Sequence, residues 1–160
     1  MTIPAKSVMT TDIVTVSPET TIVETARRML KQRVSAMPVV DPDRRPLGLV
    51  SEGDVMRHFS AQFQSKRAQW LRMLAEGEKL APEFLAEIRL NQHHVREIMH
   101  TAIISAGEEA SLAELADLML KHGIKRVPIL RDGVLVGIVS RTDVVRAVVE
   151  NLDDLLEPTN

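Results

Sequence analysis

The chain has 160 residues, 44% hydrophobic, 26% charged and only 2% aromatic, with no cysteine and a formal net charge of −2. That length and composition suit one globular domain or two very small ones, and the missing thiols exclude a disulfide scaffold and thiolate zinc sites while fitting a reducing cytoplasm. The charge balance and scarce aromatics argue against a nucleic-acid partner, no apolar run approaches a membrane span, and Met1-Thr2-Ile3-Pro4 begins no signal peptide.

The β-branched run Ile13-Val14-Thr15-Val16 predicts a first strand. Thr21 and Glu24 have the spacing of a capping box at a helix start. Ile22, Ala26, Met29 and Leu30 then recur at helical spacing and give that helix one apolar face. Two more strands are predicted at 37–40 and 47–50, joined by the turn-rich stretch 41–46, and a last helix starts near Ser51. Residues 61–94 differ in character. Trp70, Leu71 and Leu74, then Leu80, Phe84, Leu85 and Ile88, are helically spaced and punctuated by Gly77 and Pro82, which predicts an inserted helical hairpin. Its apolar stripe is expected to pack on the protein itself or on a second copy.

From residue 95 the first pattern returns. Val8-Met9-Thr10 aligns with Ile98-Met99-His100, and Ile13-Val14-Thr15 with Ile103-Ile104-Ser105. Ala26, Met29, Leu30 and Lys31 meet Ala116, Met119, Leu120 and Lys121. Met37-Pro38-Val39-Val40 meets Val127-Pro128-Ile129-Leu130. One residue is lost in the turn, where Asp132-Gly133 is a hairpin signal. Then Leu47-Gly48-Leu49-Val50-Ser51 meets Val136-Gly137-Ile138-Val139-Ser140, Asp54 meets Asp143, and Arg57 meets Arg146. The organisation is a duplicated β-α-β-β-α unit of mixed α/β (α+β) class: first repeat 1–60, inserted helical hairpin 61–94, second repeat 95–150 and acidic tail 151–160, the tail expected to fray. The last helix of the second copy, through Val144-Val145-Arg146-Ala147-Val148-Val149, reads as mostly buried.

Val34-Ser35-Ala36-Met37-Pro38-Val39-Val40-Asp41 followed by Gly48-Leu49-Val50-Ser51-x-x-Asp54 resembles a cystathionine-β-synthase (CBS) domain. Val127-Pro128-Ile129 followed by Gly137-Ile138-Val139-Ser140-x-x-Asp143 resembles another. The resemblance covers the chain apart from the hairpin and the tail. It implies a Bateman module: a pseudo-two-fold pair with a cleft on each side, flat homodimers, and regulatory binding of adenosine nucleotides or related molecules. It implies no catalysis.

Ser-x-x-Asp has two compatible readings. At a helix start it is a capping box. At a helix start that directly follows a strand, the open amides and positive dipole end also suit a phosphate, and a carboxylate can accept from a ribose diol. Carried over from the resemblance, a first cleft joins Val14, Val34 and Ser35 to Arg126, Ser140 and Asp143. Val14 and Val34 would flank the base, Asp143 would hold the ribose, and Ser140 and Arg126 would face phosphate. A second cleft joins Ile104, Ile124 and Lys125 to Ala36, Ser51 and Asp54. Ala36 stands there in place of Arg126, and Glu52 in place of Arg141, so a polyphosphate is expected to prefer the Asp143 cleft.

Pro38 and Pro128 read either as ladder breaks or as sources of unpaired backbone for a base edge. His93, His94 and His100 lack a convincing metal spacing, so no metal site is expected. Lys66, Arg67 and Arg72 read as a solvated face, and no nucleophile–base pair stands out. The expected ligands are AMP, ADP, ATP or S-adenosylmethionine, none as a required cofactor, with a homodimer and a regulated protein as further partners. The competing expectation is a structural dimerisation module with no ligand.

Overall fold

The structure is a computed structural model and describes residues 2–77 and 93–156. The chain divides into two compact units that do not follow the repeat boundaries. Unit 1 comprises 1–13, 42–46 and 102–160, and unit 2 comprises 14–41 and 47–101. The two lead segments, aligned as Val8-Met9-Thr10 and Ile98-Met99-His100, have therefore each joined the other repeat.

In unit 1 the elements are α1 (Ala5–Val8), β3 (Ala106–Gly107), α4 (Leu112–His122), β4 (Arg126–Arg131), β5 (Val134–Ser140), α5 (Arg141–Glu150) and α6 (Leu152–Leu156). Strands run in the order β3-β4-β5, parallel then antiparallel. Asp132 and Gly133 both take positive φ, as a tight hairpin between β4 and β5 requires. Leu115, Met119, Val127, Ile129 and Val139 form the core, closed by Ala5 from the lead segment. α4 starts on a reciprocal capping box between Ser111 and Glu114 and stops at Gly123 in the left-handed region.

In unit 2 the elements are α2 (Ile22–Gln32), β1 (Ala36–Val40), β2 (Pro46–Ser51) and α3 (Glu52–Ala75). Val16, Met29, Met37, Val39, Val50 and Val95 form its core. Thr21 caps α2 by accepting from the Glu24 N–H at 3.1 Å, but the Glu24 carboxylate reaches Arg28 instead of turning back. The capping box expected there is half made. α2 stops at Arg33, whose φ of 55° puts it in the left-handed region that Gly123 occupies in the second repeat, at 62°.

Other sequence expectations change as well. The run 13–16 is not a full strand: only Val16 is paired, in a parallel bridge to Val39, and in that register the preceding ladder bond would need an N–H from Pro38, which has none. Its counterpart strand lies at Ala106–Gly107, just beyond Ile103-Ile104-Ser105. Leu30 lies off the core face of α2 and is 78% exposed, as is its counterpart Leu120. In α5 only Ala147 is buried, while Val145, Val148 and Val149 are exposed. A helix that is apolar all round can still bury only one side against a single sheet. The tail begins as a short helix, α6.

α3 is one continuous helix across the position where the hairpin was expected to begin. No glycine or proline interrupts it between Asp54 and Glu76, and Gly77 follows its end with a φ of 78°. The expected second arm of the hairpin, with Leu80, Phe84, Leu85 and Ile88, lies outside the described residues.

Candidate functional site

Each repeat turns from its last strand directly into its last helix, and each lead segment braces that turn. In unit 2, Leu49 and His100 exchange backbone hydrogen bonds of 2.8 and 2.9 Å. In unit 1, the matching pair Thr10 and Ile138 exchanges bonds of 2.9 and 3.0 Å. The glycine before each pair leaves room for this crossing. A Cβ on Gly48 would stand 2.7 Å from the His100 carbonyl oxygen, and one on Gly137 would stand 2.7 Å from Met9 Cγ.

At the second-repeat junction, Ser140 caps α5 by accepting from the Asp143 N–H at 3.1 Å. The Ser140 N–H in turn donates to Asp143 Oδ2 at 2.8 Å. Asp143 Oδ1 accepts from Arg146 Nη1 at 3.1 Å, with the Arg146 side chain largely in solvent. Arg126 begins β4 and pairs in register with Ser140, so the cation and the cap sit side by side at one sheet end. Arg141 lies over the preceding loop, where its N–H meets the Lys125 carbonyl at 3.0 Å and its Nε meets the Ile124 carbonyl at 3.1 Å. Unit 1 therefore gathers Ile124, Lys125, Arg126, Ser140 and Asp143, with Arg141 added. Ile104 is half-buried in the segment before β3.

The first-repeat junction carries the same box with more attached to it. The Ser51 N–H donates to Asp54 Oδ2 at 2.8 Å and the Ser51 hydroxyl does so at 3.0 Å. Asp54 Oδ1 accepts from Arg57 and, at 2.7 Å, from His100 Nε2. A carboxylate has about four acceptor positions. Asp54 fills all of them, whereas Asp143 accepts from two groups of its own unit. Exposure follows the same order, 3% for the Asp54 side chain against 14% for Asp143. Burial alone would raise the Asp54 pKa, but the Ser51 N–H and hydroxyl, Arg57 and His100 together hold it below its ordinary 3.8. Asp54 is thus an acceptor only, and the hydrogen between it and His100 resides on Nε2.

Val34 and Ser35 lead into β1 on this same unit. Val34 and Val14 pack against its core, and the Ser35 carbonyl accepts from the Glu52 N–H at 2.9 Å. The Pro38 carbonyl is already taken by the Val16 N–H at 3.1 Å, which leaves it little to offer a base edge. Each unit holds the Ser/Asp pair of one expected cleft and the strand-leading residues of the other.

The residue that sequence reasoning missed is His100. It was weighed only as a metal ligand, although its alignment with Thr10 marks it as a point where the repeats differ. Among the described residues no group of three or more His, Asp or Glu side chains is arranged to hold a metal ion. An open depression of about 810 Å³ lies elsewhere in unit 1, lined in part by Glu109, Glu114, Asp117 and a single Lys121. Its acidic lining opposes an anionic ligand and leaves the Ser140 junction the better candidate.

A family model described as CBS domain matches residues 5–61 and 95–150. The chain belongs to the CBS domain family. It is 33% identical over 138 residues to the CBS domain-containing protein YhcV of Bacillus subtilis, covering 86% of this chain and 80% of that one. It is 28% identical to the chloroplastic CBSX1 of Arabidopsis thaliana, covering 87% of this chain and 60% of that one. Two solved structures share the fold. The CBS domain pair of MJ0100, in complex with 5′-methylthioadenosine and S-adenosyl-L-methionine, aligns with a TM-score of 0.68 at 22% identity, over 94% of this chain and 99% of that one. CBSX2 of Arabidopsis thaliana in complex with AMP aligns with a TM-score of 0.67 at 22% identity, over 92% of this chain and 96% of that one. No helix among the described residues is long and apolar enough to cross a membrane.

Proposed function

We propose that this CBS pair is a cytoplasmic, non-catalytic sensor that binds an adenosine nucleotide or adenosyl ligand (AMP, ADP, ATP or S-adenosylmethionine) and reports it to a protein partner. The observation that carries the reading is the Ser140–Asp143 junction. There a helix N-terminus, a carboxylate that accepts two hydrogen bonds from its own unit and the cations Arg126 and Arg141 fall within one unit. A carboxylate with about four acceptor sites can serve the two hydroxyl donors of a ribose diol beside the Ser140 N–H, and Arg146 is exposed enough to swing aside at little cost. Phosphate is favoured by the dipole end and the guanidinium groups. Val14, Val34 and Ser35 are assigned to the base of this ligand. The cleft expected around Ile104, Ile124, Lys125, Ser51 and Asp54 is the poorer of the two, because the Asp54 carboxylate already accepts from four donors.

A ligand of this kind acts only through its difference in affinity between two states of the module. Homodimerisation is part of the reading and has its own support. Leu30 and Leu120 are each 78% exposed, and Met56 and Val145 occupy matching places on α3 and α5 at 68% and 63%. The same matched apolar positions favour the second reading, a dimerisation module without a ligand. Thermal-shift scans with ATP, ADP, AMP, S-adenosylmethionine and NAD separate the two. The sensor reading expects stabilisation by at least one adenosine compound and loss of that shift in Asp143→Ala. A flat panel supports the structural module.

A further inference from the structure

We infer that His100 closes the first-repeat junction, so that the module takes a single nucleotide per chain, at Asp143. The inference rests on the nucleotide reading above and deepens it. In two symmetrical repeats both Ser-x-x-Asp boxes would be equally able to hold a ribose, and both helices begin on the same cap. The difference lies one segment away. His100 and Thr10 occupy matching places in the lead segments, and each is held by a two-way backbone bridge beside its junction. That bridge delivers the His100 imidazole to Asp54, where Nε2 donates to Oδ1 at 2.7 Å. Threonine at the matching place cannot reach as far, and Asp143 takes its Oδ1 contact from Arg146 alone within its unit.

With the Ser51 N–H, the Ser51 hydroxyl, Arg57 and His100 in place, Asp54 offers a sugar no acceptor position. A ribose hydroxyl would have to replace a bond to a buried carboxylate with one of the same kind, for no net gain. The imidazole stands where the sugar's donor would stand. Glu52, which stands beside the cap in the place that Arg141 takes in the second repeat, makes the phosphate end less attractive as well. The duplication has thus kept two boxes and spent one of them on an internal donor.

The two repeats supply each other's control residue. Isothermal titration of the full chain with ATP, and separately with AMP, is carried out on wild type, His100→Thr and Thr10→His, with thermal unfolding as a check on folding. Wild type is expected to bind one nucleotide per chain. His100→Thr is expected to gain a second, weaker event. Thr10→His is expected to weaken the wild-type event by tenfold or more, which tests the idea from the other side even if His100→Thr folds poorly. Two wild-type sites of comparable affinity overturn the inference alone, and so does a folded His100→Thr that still binds one. Absence of binding to wild type and to His100→Thr overturns the nucleotide reading and takes this inference with it.

Discussion

The junctions at Ser51 and Ser140 share Ser, Asp, Val and Arg at the same spacing, yet one is sealed and the other is open. Asp54 is among the few buried polar residues of the molecule and is surrounded by donors. Asp143 uses the same cap and accepts from two groups of its own unit, half as many as Asp54. The motif therefore fixes the turn from strand to helix, and the lead segment that crosses it decides what the carboxylate is left to do. A box counted twice in a sequence need not be two binding sites.

The sharpest way to break this comparison is to remove each carboxylate. Asp54→Ala strips a buried acceptor from the Ser51 N–H and hydroxyl, and is expected to cost about 2–3 kcal/mol of unfolding free energy. Asp143→Ala loses one arm of a part-buried cap with fewer donors around it and is expected to cost about 1 kcal/mol. Denaturant unfolding of both variants without ligand decides the matter. Equal losses would mean that the extra donors around Asp54 contribute nothing. Acid should act like the first substitution. Because the folded Asp54 pKa lies below its ordinary 3.8, its contribution is complete above that pH and is lost as pH falls through the folded value.

The crossing of lead segment over junction can be tested at the two glycines. A Cβ at Gly48 meets the backbone oxygen of His100, which is pinned by its bridge to Leu49. A Cβ at Gly137 meets only the flexible Met9 side chain. Gly48→Ala is therefore expected to cost about 2 kcal/mol and Gly137→Ala about 1 kcal/mol, by denaturant unfolding. The reverse order would show that the bridge at His100 is the looser of the two.

Much of this was legible before any coordinates. The repeat, its order of elements, the Asp132-Gly133 hairpin and the serine caps follow from spacing and residue chemistry, which are local. The exchange of lead segments was not legible, because Val8-Met9-Thr10 and Ile98-Met99-His100 carry no local signal of which sheet they join. The strand expected at 13–16 shrank to one paired residue because pairing depends on the donors of the facing strand as well as on β-branched side chains, and Pro38 has no N–H to give. The outward valines of α5 misled for a related reason: periodicity names an apolar helix and leaves open how much of it a single sheet can cover. Among the candidate residues, the box serines and aspartates were found by their motif. His100 came to light only through the bridge that carries it to Asp54.

The smallest expected effect concerns a histidine with no counterpart in the second repeat. His58, on α3, aligns with the buried Ala147 of α5. Its Nε2 is buried without a hydrogen-bond partner among the described residues, and its ring meets His93 edge-on at 4.8 Å between centroids. Burial chiefly, and then the proximity of His93, push its pKa below 6.5, while Glu97 opposes them. A histidine held neutral in the fold binds fewer protons there than in the unfolded chain just below pH 6.5. Stability is thus complete above that pH and declines as pH falls toward the folded value. His58→Ala places the second repeat's own residue at the site and removes this proton linkage. Unfolding midpoints compared at about pH 7.5 and about pH 5.5 should show a smaller acid-induced drop in His58→Ala than in wild type, whatever the offset between them at the higher pH. An undiminished drop would shift the acid sensitivity of unit 2 onto other groups and leave the two last helices alike in their response to protons.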